Sequence, residues 1–183
     1  LSILELYEAK AALGIADDDT DADDELLGYV DAITGAIESY KHEIIAQRTV
    51  TQRLKLCGRD TFRLWSVPVI SLTSLVSLNG TVTYDVGPTK MYVDPDSGLV
   101  DVIAGPMPTG KCKAVYEAGY AVVPANYRQG ALITLQHVWE TQRGVGTVEM
   151  GVDSHGDYNP RFSTYTLPRR ALELLGHPRP LVG

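Results

Sequence analysis

Between Val115 and Gly144 the sequence VYEAGYAVVPANYRQGALITLQHVWETQRG changes period once, where a strand hands over to a helix. Lys111–Ala114 and Tyr116 alternate as a half-buried strand does. Gly119 breaks the alternation, and Pro124 stands where a first helical turn tolerates a residue without an N–H. From Ala131 onward Leu132, Leu135, Val138 and Trp139 recur at 3, 4 and 7, the spacing of one buried helix face. Gly144 then supplies a natural stop. This pattern dictates architecture and carries no chemistry.

A second helix is the clearest in the chain. Leu26, Val30, Ile33, Ile37, Tyr40 and Ile44 step by 4, 3, 4, 3 and 4, a seam that must pack against another helix. Two partners are open to it, the 125–143 helix of the same chain or a second subunit. Ala32, Gly35 and Ala36 are small and allow close approach. Ahead of it, Ser2 and Glu5 have capping-box spacing, so a first helix is expected from about Ile3 to Leu13, ended by Gly14. Its expected face is Leu4 (or Ile3), Leu6, Tyr7 and Leu13.

From Arg48 the period becomes two: Val50, Gln52, Leu54 and Leu56 alternate with Thr51, Arg53 and Lys55. Thr61–Trp65 continues after the turn at Gly58-Arg59-Asp60. Asn79-Gly80 predicts a hairpin between Leu75–Leu78 and Thr81–Val86, and Asp94-Pro95-Asp96-Ser97-Gly98 another between Met91–Val93 and Leu99–Ile103. Gly105–Gly110 reads as an exposed connection. About six short strands in 48–118 make a compact antiparallel sandwich or barrel. Past Gly144, glycines and Pro160 interrupt every period, Leu167–Leu175 is a short helix with Pro168 at its start, and Pro178 and Pro180 end the chain in extended form.

The formal net charge of −7 is unevenly placed. Residues 1–47 hold twelve Asp or Glu against Lys10 and Lys41, a balance of −10, which leaves +3 for the remainder. This is the opposite of a surface made to grip DNA phosphates. It suits an acidic face meeting a basic neighbour, an acidic channel wall to which DNA does not stick, or a solvated helix pair. No apolar run reaches a membrane span, and no signal-peptide pattern opens the chain, so synthesis in the cytoplasm is expected. Cys57 and Cys112 both lie in strand-like segments and read as buried small hydrophobes.

Candidate chemistry is sparse. Asp17, Asp19, Asp21 and Asp23 have the odd-position spacing of a calcium loop, but Ala22 stands where that loop needs Gly and Gly28 where it needs a bidentate Glu. Asp153-Ser154-His155 contains the residue types of a hydrolase triad, but neighbours in sequence cannot adopt its geometry. His42, His137, His155 and His177 have no zinc spacing. No catalytic residue, cofactor or metal ligand is assigned. Trp139 and Tyr127 read as core or intersubunit anchors. Arg161, Phe162, Tyr165, Leu167, Arg169, Arg170 and Leu174 mix aromatic, aliphatic and guanidinium groups in a segment with no core of its own, the composition of a docking arm.

The handover region also carries a family resemblance. A strand ending Tyr116-Glu117-Ala118-Gly119-Tyr120, then Val123-Pro124, then a helix closing His137-Val138-Trp139-Glu140-Thr141-Gln142-Arg143-Gly144 resembles the head–tail connector (adaptor) proteins of long-tailed bacteriophages. Leu4, Leu6, Lys10, Leu13-Gly14-Ile15 and the later Asp24-Glu25-Leu26-Leu27 agree, and Leu167–Leu175 resembles the C-terminal arm of longer members. The likeness covers the helical ends more than the middle. The fold expected is α+β: a helical hairpin (1–47), an inserted antiparallel β-domain (48–123), a long helix completing the bundle (124–143) and an extended C-terminal docking arm (144–183). The resemblance implies a structural virion protein of the neck, a homo-oligomeric ring of twelve copies under the portal protein. That ring would extend the DNA channel without sequence-specific binding and offer a platform to a neck stopper or tail-completion protein. The alternatives from the residues alone are a soluble oligomeric binding module using the 24–47 seam, or a small enzyme.

Overall fold

The computed structural model describes residues 2–143 and 167–180. The fold is mixed α+β with antiparallel sheets, and the chain divides into two compact units. One is helical, built from residues 2–41, 124–143 and 167–178; the other is the β-unit, residues 42–123 with Arg179 and Pro180.

The helical unit contains α1 (Leu6–Leu13), α2 (Asp23–Lys41), α3 (Ala125–Arg143) and α4 (Arg169–Leu175). Helix α1 starts three residues later than expected, at Leu6 with Glu5 as its cap. The Glu8 carboxylate accepts the Glu5 N–H at 2.9 Å, while Ile3 and Leu4 are buried ahead of the helix and the Ile3 N–H donates to Thr34 Oγ1 at 3.2 Å. Its buried positions are Ala9 and Lys10, and Tyr7, expected inside, is 62% exposed.

In α2 the seam residues Leu26, Val30, Ile33 and Ile37 are all buried, and the helix packs on α1 and α3 of the same chain. Each such side chain contributes roughly 1.5–3 kcal/mol of burial. The seam stops earlier than its period suggests. Helix α2 ends at Lys41, His42 takes φ 57, and Ile44 is buried in the core of the β-unit instead. Helix α3 opens with Pro124 just outside it, its carbonyl accepting the Tyr127 and Arg128 N–H groups. The buried face of α3 includes Tyr127, Gly130, Ala131, Thr134 and Leu135, whereas Leu132, Val138 and Trp139 are half-buried. Trp139 meets Tyr29 of α2 edge-on, ring centroids 6.1 Å apart.

The β-unit has seven strands in two antiparallel sheets. A four-stranded sheet has the order β1 (Arg48–Cys57), β7 (Thr109–Ala118), β3 (Val69–Ser77), β4 (Thr83–Tyr84). A three-stranded sheet has the order β2 (Thr61–Arg63), β6 (Leu99–Val102), β5 (Met91–Val93). Strands β1 and β7 pair without interruption from Arg48 opposite Ala118 to Cys57 opposite Thr109. Both predicted hairpins form, though the first begins within the longer β3 and its return strand is only Thr83–Tyr84. The inner faces share one core that includes Leu64, Leu75, Val100, Cys112, Ala114 and Tyr116. Cys57, expected inside, is exposed, because it ends β1 where the edge of the sheet meets solvent. Cys112 is buried as expected, and desolvation raises its thiol pKa.

Two glycines are dictated by this geometry. At Gly119, where β7 ends before α3, φ is +111° and a Cβ would lie 2.7 Å from Gln47 Cα. At Gly98, in the β5–β6 turn, φ is +69° and a Cβ would lie 2.4 Å from the Leu64 carbonyl oxygen.

Candidate functional site

Of the residues expected to dock on a neighbour, Arg161, Phe162 and Tyr165 lie outside the described residues, as do Asp153, Ser154 and His155. Leu167, Arg169, Arg170 and Leu174 lie on or beside α4, and α4 has a core after all. Ala171 and Leu175 are buried against α3, where Gly130 leaves room: a Cβ there would meet Leu175 Cδ2 at 3.1 Å. Lys41 Nζ donates to the carbonyls of Leu175 at 2.8 Å and His177 at 2.7 Å, satisfying the negative C-terminal end of α4. Tyr40 Oη donates to the Gly176 carbonyl at 3.2 Å, and Asn126 Nδ2 to that of Leu174 at 3.1 Å. The sequence concealed this because α4 spans seven residues, too short to display a period. Arg169, Arg170 and Leu174 remain exposed, and Arg169 pairs with its i,i+4 neighbour Glu173, at 3.6 Å.

The acidic turn between α1 and α2 is organised by a lysine. Lys10 is 3% exposed, and its Nζ donates to the carbonyls of Asp17 (3.2 Å) and Asp19 (2.8 Å) and pairs with Asp23 Oδ1 at 2.6 Å. A side-chain ammonium thus occupies the centre that a calcium loop would give to a metal ion. Drawing the carbonyls inward leaves residues 16–21, with Asp17, Asp18, Asp19 and Asp21, as an exposed acidic knob. Among the described residues no cluster of three His, Cys, Asp or Glu could hold a metal, and no helix is long and apolar enough to cross a membrane.

The β-unit carries the opposite charge in a groove of about 690 Å³ between β1 and β2. Each of these strands is the edge of its sheet, so the groove is the open seam of the sandwich. Its lining holds Arg53, Lys55, Arg59 and Arg63 and no carboxylate, with Trp65 at 74% exposure beside them. A buried network fixes the seam: Tyr116 Oη donates to Gln52 Oε1 at 2.9 Å, which also accepts the Trp65 N–H at 3.0 Å, and the Ser66 N–H donates to Tyr116 Oη at 3.1 Å. Arg63 Nε is held by the Ser97 carbonyl at 3.1 Å. Sequence reading registered Arg53 and Lys55 only as outward positions of a strand. Their convergence with Arg59, Arg63 and Trp65 depends on how two sheet edges meet.

No family model matches the chain, and no curated protein does. Solved structures do match, along nearly the full length. A chain from the neck of an empty gene transfer agent particle, computed with C6 symmetry, superposes with a TM-score of 0.66 at 18% identity, covering 99% of this chain and 92% of that one. This fold is shared with gene transfer agent necks. A chain from the virion of the native particle gives a TM-score of 0.64 at 20% identity, covering 99% of this chain and 93% of that one. A chain from the native neck computed with C12 symmetry gives 0.59 at 18% identity, covering 100% and 97%. The resemblance to head–tail connectors read from the sequence therefore has a counterpart in the fold, including the β-unit, where the sequence likeness was poorest.

Proposed function

We propose that this chain is a structural protein of the neck of a phage-like particle, acting by shape and repetition and making or breaking no bond. The observation that carries the reading is the end-to-end fold likeness to gene transfer agent neck chains, one of them from a neck computed with C12 symmetry. In the finer form of the proposal, twelve copies form a ring under the portal protein, extend the DNA channel and present a platform to a stopper or tail-completion protein. Repetition of one heterologous contact closes such a ring. Duplex DNA passes without sequence-specific binding, because the acidic N-terminal region repels phosphate.

Two features support a surface-driven role. The α2 seam, which in an alternative reading serves as a coiled-coil binding face, is consumed inside the chain by α1 and α3. Arg169, Arg170 and Leu174 stand outward on a braced helix, ready to meet the portal at little ordering cost. The test is to mix the purified full-length chain with its portal protein and image the product. Rings seated on the portal are expected. Folded protein that leaves the portal bare overturns the proposal.

A further inference from the structure

We propose that the basic groove between β1 and β2 receives the acidic knob of a second copy of this chain, and that this is a subunit-to-subunit contact of the ring. The inference rests on the ring reading and adds the surfaces. The groove presents Arg53, Lys55, Arg59 and Arg63 with no carboxylate in its lining, and the knob presents Asp17, Asp18, Asp19 and Asp21, all exposed. Four cations face four anions, the complementarity that selects a partner and fixes its register. Trp65, mostly exposed beside the cations, offers the large amphipathic anchor that interfaces favour.

Symmetry narrows the occupant further. Two grooves brought together would oppose like charges along two edge strands, and two knobs would oppose carboxylates; both isologous pairings are disfavoured. Groove to knob is heterologous, the only kind of contact that propagates around a ring. The knob is also pre-organised. Lys10 holds its backbone carbonyls from within, so little conformational entropy remains to be lost on docking. Duplex DNA is the competing occupant of a basic groove, but the chain's own excess of carboxylates is at hand in every neighbouring copy.

A charge-swap experiment on the full-length chain tests this. One variant reverses the groove (Arg53→Glu, Lys55→Glu, Arg59→Glu), sparing Arg63 because it braces the Ser97 carbonyl. Another reverses the knob (Asp17→Lys, Asp18→Lys, Asp21→Lys), whose side chains make no bond to Lys10, and spares Asp19 because its carboxylate accepts the Asp21 N–H. Sedimentation velocity at low salt should show each variant alone self-associating at least about tenfold more weakly than wild type. An equimolar mixture should recover wild-type assembly, since every contact in an alternating ring is again complementary, and so should the variant carrying both reversals. As a second readout that does not depend on large charge changes, Asp18→Cys treated with a mild thiol oxidant, which takes up the two electrons and two protons released, should form a disulfide with the exposed Cys57 of another copy, lost with Cys57→Ser.

Variants that each assemble like wild type, or a mixture that fails to recover, would overturn the proposal. So would absence of both self-association and the disulfide, or duplex DNA that binds wild type and is lost from the groove variant alone. Rings that persist in the groove variant sink the groove assignment and leave the neck reading intact. A charge-dependent pair that never closes into rings does the reverse.

Discussion

Lys10 shows how one buried cation can shape a surface. Its ammonium reaches forward from α1 to two carbonyls and to the Asp23 carboxylate, so removing it leaves an uncompensated acidic pocket. Lys10→Met should cost about 3 kcal/mol in urea unfolding, the lower end of the range for breaking a buried pair because Asp23 is partly solvated. At Asp94 the logic runs through a hydroxyl. The Ser97 side chain donates to its carboxylate and holds the pKa below 3.8, aided by the Asp96 and Ser97 N–H groups. The stabilisation this bond gives the turn is fully present above the ordinary carboxylate value and is lost as pH falls through the lower folded one. Ser97→Ala should raise the Asp94 pKa toward 3.8 in an NMR titration of the side-chain carboxyl. A third consequence concerns the thiols. A disulfide-exchange reagent should modify Cys57 rapidly in the native chain and Cys112 only on unfolding, since one is exposed and the other buried.

Among the elements, α4 carries the largest revision. A segment expected to be a core-free arm instead places Ala171 and Leu175 against α3. Truncation before Leu167 should therefore loosen the helical unit as well as remove the proposed docking groups. Leu175→Ala should lower stability by roughly 2–4 kcal/mol in thermal or urea melts. Arg169→Ala, at an exposed i,i+4 pair, should change it by less than about 0.5 kcal/mol. Helices and hairpins with strong local signals were legible: the 4-3 stepping of Leu26 to Ile37, and the turns at Asn79-Gly80 and Asp94–Gly98, all formed as read. What failed was local evidence overruled by distant partners. Ile44 continued a helical period on paper, but His42 turns the chain and Ile44 joins the β-core. Ser2 and Glu5 matched a capping box, yet Ile3 and Leu4 were taken for burial and the cap moved to Glu5 and Glu8.

At the scale of the whole molecule, the uneven charge was visible in the sequence, but not its sculpting. An excess of carboxylates in residues 1–47 says nothing about which are presented, and a modest positive remainder does not reveal that four cations share one seam. Neither surface follows from a period in the sequence: one depends on Lys10 reaching Asp19 and Asp23, the other on how the edge strands of two sheets meet. If assembly runs through them, raising ionic strength from about 0.05 to 0.5 M should dissolve rings formed by the chain alone, because screening shortens the reach of exposed charges from beyond ~10 Å to a few ångströms. Light scattering across a salt series would check this.

The turn at the head of α2 borrows the layout of an ion-binding loop but carries its positive charge covalently. Chelators cannot strip it, and dilution cannot empty it. A turn built this way should keep its shape with a chelator present as without one.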